Sequence, residues 1–143
     1  MRPDWIATKP KHNDGTVPVL EVNYKILPTI AEGIWHAQMA GWERILTYDY
    51  VQDTQQRKMV RRLKREQIEM SGFQRCGLTA DEYPFACTKE NRGSTYLTNA
   101  PLTEQRIQGG QLNAFFQLHG AYRKQDGYFY FEVRVKNYFL AGR

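Results

Sequence analysis

Alternation of hydrophobic and polar positions is clearest near the C-terminal end of the chain, in the stretch GYFYFEVRVKN. Successive side chains of a strand point to opposite faces, so this period of two residues predicts a half-buried β-strand. Its apolar face carries Phe129, Phe131, Val133 and Val135. Near the other end, VPVLEVNY from Val17 is rich in β-forming residues. It predicts a strand that Pro18 restricts to a sheet edge or a strand start.

Three segments instead show the residue spacing of amphipathic helices. Pro28 suits the first turn of a helix over Pro28–Ala40, and Gly41 is a stop signal. A second helix is predicted over Asp53–Met70, ending at Gly72. Its inward side chains are Met59, Val60 and Leu63.

A third helix is predicted over Glu104–Leu118, with Thr103 as its N-terminal cap and Gly120 beyond its end. Its inward stripe is polar in the first half and apolar in the second. The stripe holds Glu104, Gln108 and Gln111 together with Ile107, Leu112, Phe115 and Leu118. An unpaired buried polar group costs about 1–3 kcal/mol, so the carboxylate and the two amides need partners. A bound cation and a nearby acidic segment would supply them.

Gly109 and Gly110 stand in the middle of this helix, where each costs roughly 1 kcal/mol relative to alanine. The pair predicts that something approaches the helix backbone closely at this point. The alternative is a helix that starts only at Gly110, preceded by a loop.

Short strands are predicted over Arg44–Tyr48 and around Tyr96, with a loop through Asn99 and Pro101. Together with the helices they give an α+β fold, a small antiparallel sheet flanked by helices. The 143 residues, 41% of them hydrophobic, suit one domain. We place it at residues 17–143, after a polar lead-in over residues 1–16.

Lysine and arginine exceed aspartate and glutamate, 20 against 15, which gives the surface a positive field that favours polyanions. A basic cluster in and after the second helix predicts nucleic-acid binding. Its members are Arg57, Lys58, Arg61, Arg62, Lys64, Arg65 and Arg75. We expect Arg61, Arg62 and Arg75 to hold a nucleic-acid backbone. The alternative is an ordinary solvated helix face paired with Glu66 and Glu69.

No run of about 18 apolar residues occurs in the chain, so we expect no membrane span. The N-terminal stretch MRPDWIATKPKHNDGT also lacks the apolar centre of a signal peptide. We therefore expect any export signal to have been removed or to belong to a larger precursor.

The stretch DEYPFA places two adjacent carboxylates, Asp81 and Glu82, directly before an aromatic–proline–aromatic run. Two like charges side by side are costly to bury unless a cation or a shared proton relieves their repulsion. The stretch therefore predicts either an exposed turn or a functional site. Cys76 and Cys87 bracket it, and either a disulfide or two free thiols fits these two cysteines.

DEYPFA, followed some twenty residues later by EQRIQGGQLNAFF, resembles the NucA/NucB deoxyribonuclease domain of bacteria. The similarity runs from about Val17 to Val135. Versions of this domain occur as toxin domains at the ends of large secreted proteins. The resemblance implies a small metal-dependent endonuclease similar to the ββα-metal nucleases, with a carboxylate in place of their histidine general base. None of the three histidines, His12, His36 and His119, lies in the motif, which agrees with that replacement.

On this resemblance Asp81 is the expected general base, and Glu82 and Glu104 are the expected metal ligands, supported by Gln108 and Gln111. Their oxygen atoms suit Mg²⁺ or Mn²⁺, and Mg²⁺ keeps several waters, so one or two protein ligands suffice. Neighbouring residues of a regular strand point to opposite faces, so both acidic groups reach one site only if the strand is irregular. The roles of Asp81 and Glu82 can be exchanged.

Arg106 lies on the helix face opposite Glu104 and is expected to contact phosphate or solvent. Such backbone contacts predict DNA cleavage with little sequence preference. The implied protein is secreted or delivered into a target cell, with DNA as substrate and an immunity or inhibitor protein as a possible partner. The alternative function is a basic nucleic-acid-binding module without catalysis.

Overall fold

The computed structural model of the chain describes residues 5–6, 9–10, 17–65, 78–91, 95–123 and 128–138. Its main helices and strands are β1 (Val19–Asn23), α1 (Pro28–Met39), β2 (Ile45–Tyr48), α2 (Tyr50–Arg65), β3 (Leu78–Tyr83), β4 (Tyr96–Pro101), α3 (Leu102–Leu118) and β5 (Phe129–Lys136). A 3₁₀ turn over Ala121–Arg123 follows α3. The predicted α+β class is confirmed. No helix among the described residues is long and apolar enough to span a membrane.

The alternating C-terminal segment forms the central strand of a three-stranded sheet with the order β1-β5-β2. Phe131 and Val133 of β5 are fully buried, as the alternation predicted. β2 runs antiparallel to β5, whereas β1 runs parallel to it, so the sheet is mixed rather than wholly antiparallel. β1 lies at the sheet edge, where Pro18 is tolerated because it needs no ladder donor there.

The second sheet is an antiparallel hairpin of β3 and β4, and α3 begins immediately after β4. We call β3, β4 and α3 the ββα unit. The hairpin pairs Asp81 with Thr98. α1 packs on β4, where a Cβ on Gly33 would lie 2.3 Å from the Thr98 hydroxyl oxygen. The absence of a side chain at Gly33 therefore lets α1 approach the hairpin closely.

Several predicted boundaries are wrong. Residues 99–101 are not a loop but the end of β4, and their pairing with β3 reaches Leu78 opposite Pro101. α3 starts at Leu102, so Thr103 lies exposed inside the helix instead of capping it. α2 begins at Tyr50, because the Asp49 carboxylate accepts the backbone N–H of Gln52 at 3.2 Å and caps this end.

Two further predictions about the helices are confirmed. Others concern residues that the structure does not describe. α1 matches its predicted start and ends one residue early at Met39. Gly120 follows the last turn of α3 with φ +69°, a conformation that favours glycine. Residues 66–77, which include the predicted end of α2 and Gly72, are not among the described residues. Neither are the side chains of Met59, Val60 and Leu63.

The buried face of α3 differs from the predicted stripe. Ile107 and Leu118 are 43% and 78% exposed. The buried positions are instead Glu104, Gln108, Phe115 and Phe116. The two phenylalanine rings pack against Phe131 of the three-stranded sheet, with centroids 5.6 and 5.4 Å away. This aromatic contact fixes the rotation of α3 and turns its polar first half toward α1 and β3.

Candidate active site

Asp81 is the buried carboxylate of the hairpin, in the middle of β3's pairing with β4 and only 8% exposed. Burial, together with the smaller effects of the charges of Glu82 and Glu104, raises its pKa from 3.8 to about 7. A carboxyl with this pKa exchanges its proton near neutral pH. Asp81, Glu82 and Glu104 were all predicted as site residues. Glu82 and Glu104 lie close enough to Asp81 for their charges to act on it.

Asp81 and Glu82 line the same cavity, which has a volume of about 310 Å³. The pairing of β3 is nevertheless regular from Leu78 to Tyr83, so the expected irregularity is not needed. In the described fold β3 is paired along one edge only, and both Asp81 and Glu82 line this cavity. A cis peptide bond joins Tyr83 to Pro84 directly after the strand.

The side chain of Asn91 orients Glu82. Its Nδ2 donates to Glu82 Oε2 at 3.1 Å and to the Pro84 carbonyl oxygen at 2.7 Å. The segment that carries Asn91 is itself fastened to β2, where Lys89 N donates to Thr47 O at 2.9 Å. Glu82 is therefore held by a rigid neighbour, which the sequence did not reveal.

Glu104 has a buried partner other than the predicted cation. Its Oε1 accepts the backbone N–H groups of Thr29 and Ile30, both at 3.0 Å. These groups belong to the first turn of α1, whose N-cap residue Leu27 has no capping side chain. Glu104 thus caps α1 from α3, and its charge lies at the positive end of the α1 dipole.

Gln108 lines the cavity and is 5% exposed. Its buried Nε2 has no hydrogen-bond partner among the described residues. An unpaired N–H donor suits an acceptor oxygen, such as that of water or phosphate, rather than a cation. Gly109 also lines the cavity, and a Cβ there would meet nothing within 4 Å, so this part of α3 faces open space. The alternative of a helix starting at Gly110 is wrong, because α3 is continuous through both glycines.

Not every predicted residue reaches this cavity. Glu104 lies beside Asp81 without lining it, and Gln111 is half-buried and does not line it either. Gln105 and Asn113 of α3 line it instead. The sequence missed them because the predicted stripe was rotated away from the true inward face.

Arg57 is the cationic side chain that lines the cavity within the described part of the chain. Its Nε donates to Asp53 Oδ1 at 3.1 Å, one helical turn earlier. The sequence placed Arg57 in the basic cluster but favoured three other arginines. Of those, Arg61 and Arg62 are described by backbone alone, and Arg75 lies outside the described residues. Arg106 is exposed and does not line the cavity.

Among the described residues, the remaining thiol and imidazole groups are those of Cys87, His36 and His119. Cys87 lines the cavity, and burial raises the pKa of its thiol to about 12, so it is not ionised at neutral pH. Cys76 lies outside the described residues, and the disulfide stays a prediction. His36 lies 3.6 Å from Glu32 on the surface of α1, and His119 caps the C-terminal end of α3. His12 is also outside the described residues.

The residues around Asp81 fit a hard divalent cation that keeps most of its waters. In the described ranges, no group of three or more His, Cys, Asp or Glu side chains is arranged to hold a metal by itself. The charges of Glu82 and Glu104 nevertheless lie close enough to Asp81 to raise its pKa. Carboxylate and amide oxygens with one or two direct contacts suit Mg²⁺ or Mn²⁺.

Comparison with known families identifies the family to which the chain belongs. The profile of the family Deoxyribonuclease NucA/NucB matches residues 37–130, which contain β2, α2, the ββα unit and the start of β5. The match is shorter at both ends than the similarity expected from the sequence motifs. A search of curated proteins gave no significant match. The chain belongs to the NucA/NucB deoxyribonuclease family.

Proposed function

We propose that the protein is a divalent-metal-dependent endonuclease that hydrolyses DNA phosphodiester bonds with little sequence preference. Membership of a deoxyribonuclease family implies the hydrolysis of DNA. The observation that carries the finer proposal is Asp81, a buried carboxyl with a pKa of about 7 beside two further carboxylates and a cavity. Perturbed groups of this kind concentrate at catalytic sites.

Asp81 acts as the general base in this proposal. It accepts a proton from a water as the oxygen of that water bonds to phosphorus. The bond from phosphorus to one sugar oxygen then breaks, and the departing oxygen takes a proton from solvent. A base works best when its pKa lies near the working pH, and the pKa of about 7 meets that condition.

The other polar residues hold the reacting groups in place. When bound, a Mg²⁺ or Mn²⁺ ion supplies positive charge to the phosphate and to the departing oxygen. We assign Glu82, oriented by Asn91, as the principal protein ligand of this ion. Glu104 is the second candidate ligand. Gln108 donates its unpaired N–H to a phosphate oxygen or to water. The structure does not bring Gln111 to the cavity, so we give it no role.

Little sequence preference follows from the chemistry of the contacts. Carboxylates, a guanidinium and amides at the cavity suit the phosphate and sugar, which are the same for every nucleotide. The overall excess of basic residues, 20 against 15 acidic ones, adds attraction that does not depend on sequence.

We further propose that the protein acts outside its producing cell, either secreted or delivered as an antibacterial toxin domain. A nonspecific DNase endangers the DNA of its maker. The same reasoning supports an immunity or inhibitor protein as a partner. The immunity protein is tested by co-expressing this chain with the protein encoded beside it. That protein should co-purify with the chain and inhibit its DNase activity.

A plasmid-nicking assay tests the proposed function. With Mg²⁺ or Mn²⁺ the wild-type protein should convert supercoiled DNA to nicked and linear forms, and EDTA should stop the reaction. Asp81→Asn should lower the rate at least about 100-fold, the usual contribution of a general base. Glu32→Gln, which removes a carboxylate from the exposed side of α1, is the matched control and should keep full activity.

Cleavage that survives both EDTA and Asp81→Asn would refute the assigned site. Absence of cleavage with any divalent cation, with DNA binding retained, would instead favour a non-catalytic binding module.

A further inference from the structure

A second cavity of about 440 Å³ adjoins the first. The two cavities share Asp53, Arg57 and Asn113 as lining residues, so this group forms the wall between them. The volume lies in the range of roughly 300–1,000 Å³ that small-molecule sites occupy. Nothing in the proposed hydrolysis uses this second cavity.

Hydrogen bonds among β2, α2, α3 and the 3₁₀ turn hold the dividing wall in place. The Tyr48 hydroxyl donates to Asp53 Oδ2 at 2.5 Å, and Arg57 Nε donates to the other carboxylate oxygen at 3.1 Å. Arg57 Nη2 donates to the Tyr122 hydroxyl at 3.1 Å, and that hydroxyl donates to Asn113 Oδ1 at 2.6 Å. The guanidinium is thereby fixed in direction, while the Arg57 side chain stays 53% exposed and reachable by a solute anion.

The composition of the second cavity suits a nucleoside better than a phosphate. Asp53 and Arg57 are its charged lining residues and offset each other, so its interior is close to neutral. The rest of the lining offers tyrosine rings and polar side chains, namely Tyr48, Tyr50, Thr54, Asn113, Gln117 and Tyr122. Aromatic rings stack on bases of any sequence, and amides bind base or sugar edges.

The geometry points to a nucleoside subsite: the second cavity holds one unpaired nucleoside next to the scissile phosphate, and Arg57 contacts the phosphate between the two cavities. This inference rests on the proposed function for the position of the scissile phosphate. A base inside a duplex cannot enter such a cavity without leaving its stack, which costs a few kcal/mol. The subsite therefore favours single-stranded or unpaired DNA.

An abasic scan tests the subsite. Single-stranded oligonucleotides of one sequence carry one phosphodiester bond among neutral, uncleavable methylphosphonate linkages, which fixes the cleaved bond, and each lacks one base at a different position. Their binding to the protein in EDTA is followed by fluorescence anisotropy. The same set is then cleaved with Mg²⁺ to obtain kcat/KM. Loss of the base at one position next to the cleaved bond should weaken binding and lower kcat/KM about tenfold, the scale of one stacked base. Bases elsewhere should matter little.

Two variants connect this effect to the second cavity. Arg57→Gln removes the fixed cation, and Tyr122→Phe removes only the hydroxyl while keeping the ring that packs near Phe116 at 6.0 Å. Both should shrink the abasic effect and lower the ratio of kcat/KM for single-stranded over duplex DNA by about fivefold or more. Lys58→Gln removes equal charge from the same helix but lines neither cavity. Lys58→Gln should lower kcat/KM for single-stranded and duplex DNA in the same proportion.

The outcomes separate the subsite from the nuclease activity. Binding that depends on one base, without cleavage of any DNA, would refute the proposed function and leave the subsite standing. Cleavage of plasmid by the wild type with no abasic position having an effect would overturn the subsite alone. The subsite would also be refuted if Arg57→Gln and Lys58→Gln changed the ratio of kcat/KM for single-stranded over duplex DNA equally, because a general charge effect would then explain the data.

Discussion

Glu104 of α3 caps the first turn of α1 by accepting the backbone N–H of Ile30 at 3.0 Å on Oε1. The same oxygen accepts the N–H of Thr29. The contact ties the ββα unit to the helix that packs on the three-stranded sheet. The charge of Glu104 also raises the pKa of Asp81, so one side chain serves both the fold and the electrostatics of the site.

Removing the charge of Glu104 should lower stability. Glu104→Gln keeps one acceptor oxygen but loses the ionic contribution, and we expect a loss of about 1 kcal/mol in the free energy of unfolding. Glu104→Ala leaves the buried N–H of Ile30 and the partly buried N–H of Thr29 unpaired and should cost about 2–3 kcal/mol. Urea unfolding measures both, with Glu32→Gln as an exposed control on α1.

The same variants separate capping from metal binding. If Glu104 also holds the cation, Glu104→Gln raises the Mn²⁺ concentration that gives half-maximal DNase activity. An unchanged value, with stability reduced as expected, would show that Glu104 acts through α1 alone.

The raised pKa of Asp81 predicts how stability depends on pH in the absence of metal. The folded protein binds this proton more tightly than the unfolded chain, so Asp81 favours folding most below about pH 4. That contribution is lost as pH rises from 3.8 to about 7. At pH 8 the charged buried group costs at most about 4 kcal/mol relative to low pH. Asp81→Asn should therefore be the more stable protein at pH 8 in EDTA.

Urea unfolding of wild type and Asp81→Asn between pH 4 and pH 8 gives this difference directly. Carboxylates other than Glu82 and Glu104, whose charges act on Asp81, contribute equally to both proteins and cancel in the comparison. A stability difference that stays constant across this range would contradict the assigned pKa.

Catalysis should have the opposite dependence on pH from stability. Only the ionised Asp81 can accept a proton, so kcat/KM should fall as pH falls. A bound cation offsets the charges of Glu82 and Glu104, which places the midpoint below the metal-free value of about 7. A pH–rate profile in Mg²⁺ checks this, and a rate that is constant from pH 4 to pH 8 would exclude Asp81 as the base.

Gly109 and Gly110 form a matched pair for testing the cavity. Neither would bring a Cβ within 4 Å of other atoms, and only Gly109 lines the cavity beside Asp81. Alanine at either position should stabilise α3 by roughly 0.5–1 kcal/mol. Gly109→Ala should also raise KM for DNA several-fold, whereas Gly110→Ala should not. Equal KM values in the two variants would mean that substrate does not approach Gly109.

The sequence predicted local structure where a local rule decides it. The alternation around Phe131 defined β5, Pro18 defined an edge strand, and Gly120 marked the end of α3. The acidic stretch at Asp81 was also visible, because adjacent carboxylates before a Tyr-Pro-Phe run are chemically unusual. These features depend on a few neighbouring residues and not on the rest of the fold.

Partners distant along the chain could not be predicted in this way. The capping of α1 by Glu104 joins residues 74 positions apart, and nothing near either residue indicates the other. The rotation of α3 depends on the packing of Phe115 and Phe116 against Phe131. Because this contact is not visible in the sequence, the inward stripe of α3 was predicted wrongly. Arg57 was missed for the same reason, since its place at the cavity follows from tertiary packing rather than from charge clustering.

The proposed metal site is best tested by titrating the protein with Mn²⁺ and following the loss of the free-ion electron paramagnetic resonance signal. We predict one bound Mn²⁺ per chain over the concentrations that activate DNA cleavage. Glu82→Gln should weaken that binding at least about tenfold, the lower end of the loss of affinity seen when a metal site is altered. Glu32→Gln should bind like the wild type. Wild-type protein that cleaves DNA yet binds no Mn²⁺, or Glu82→Gln that binds it unchanged, would contradict the account.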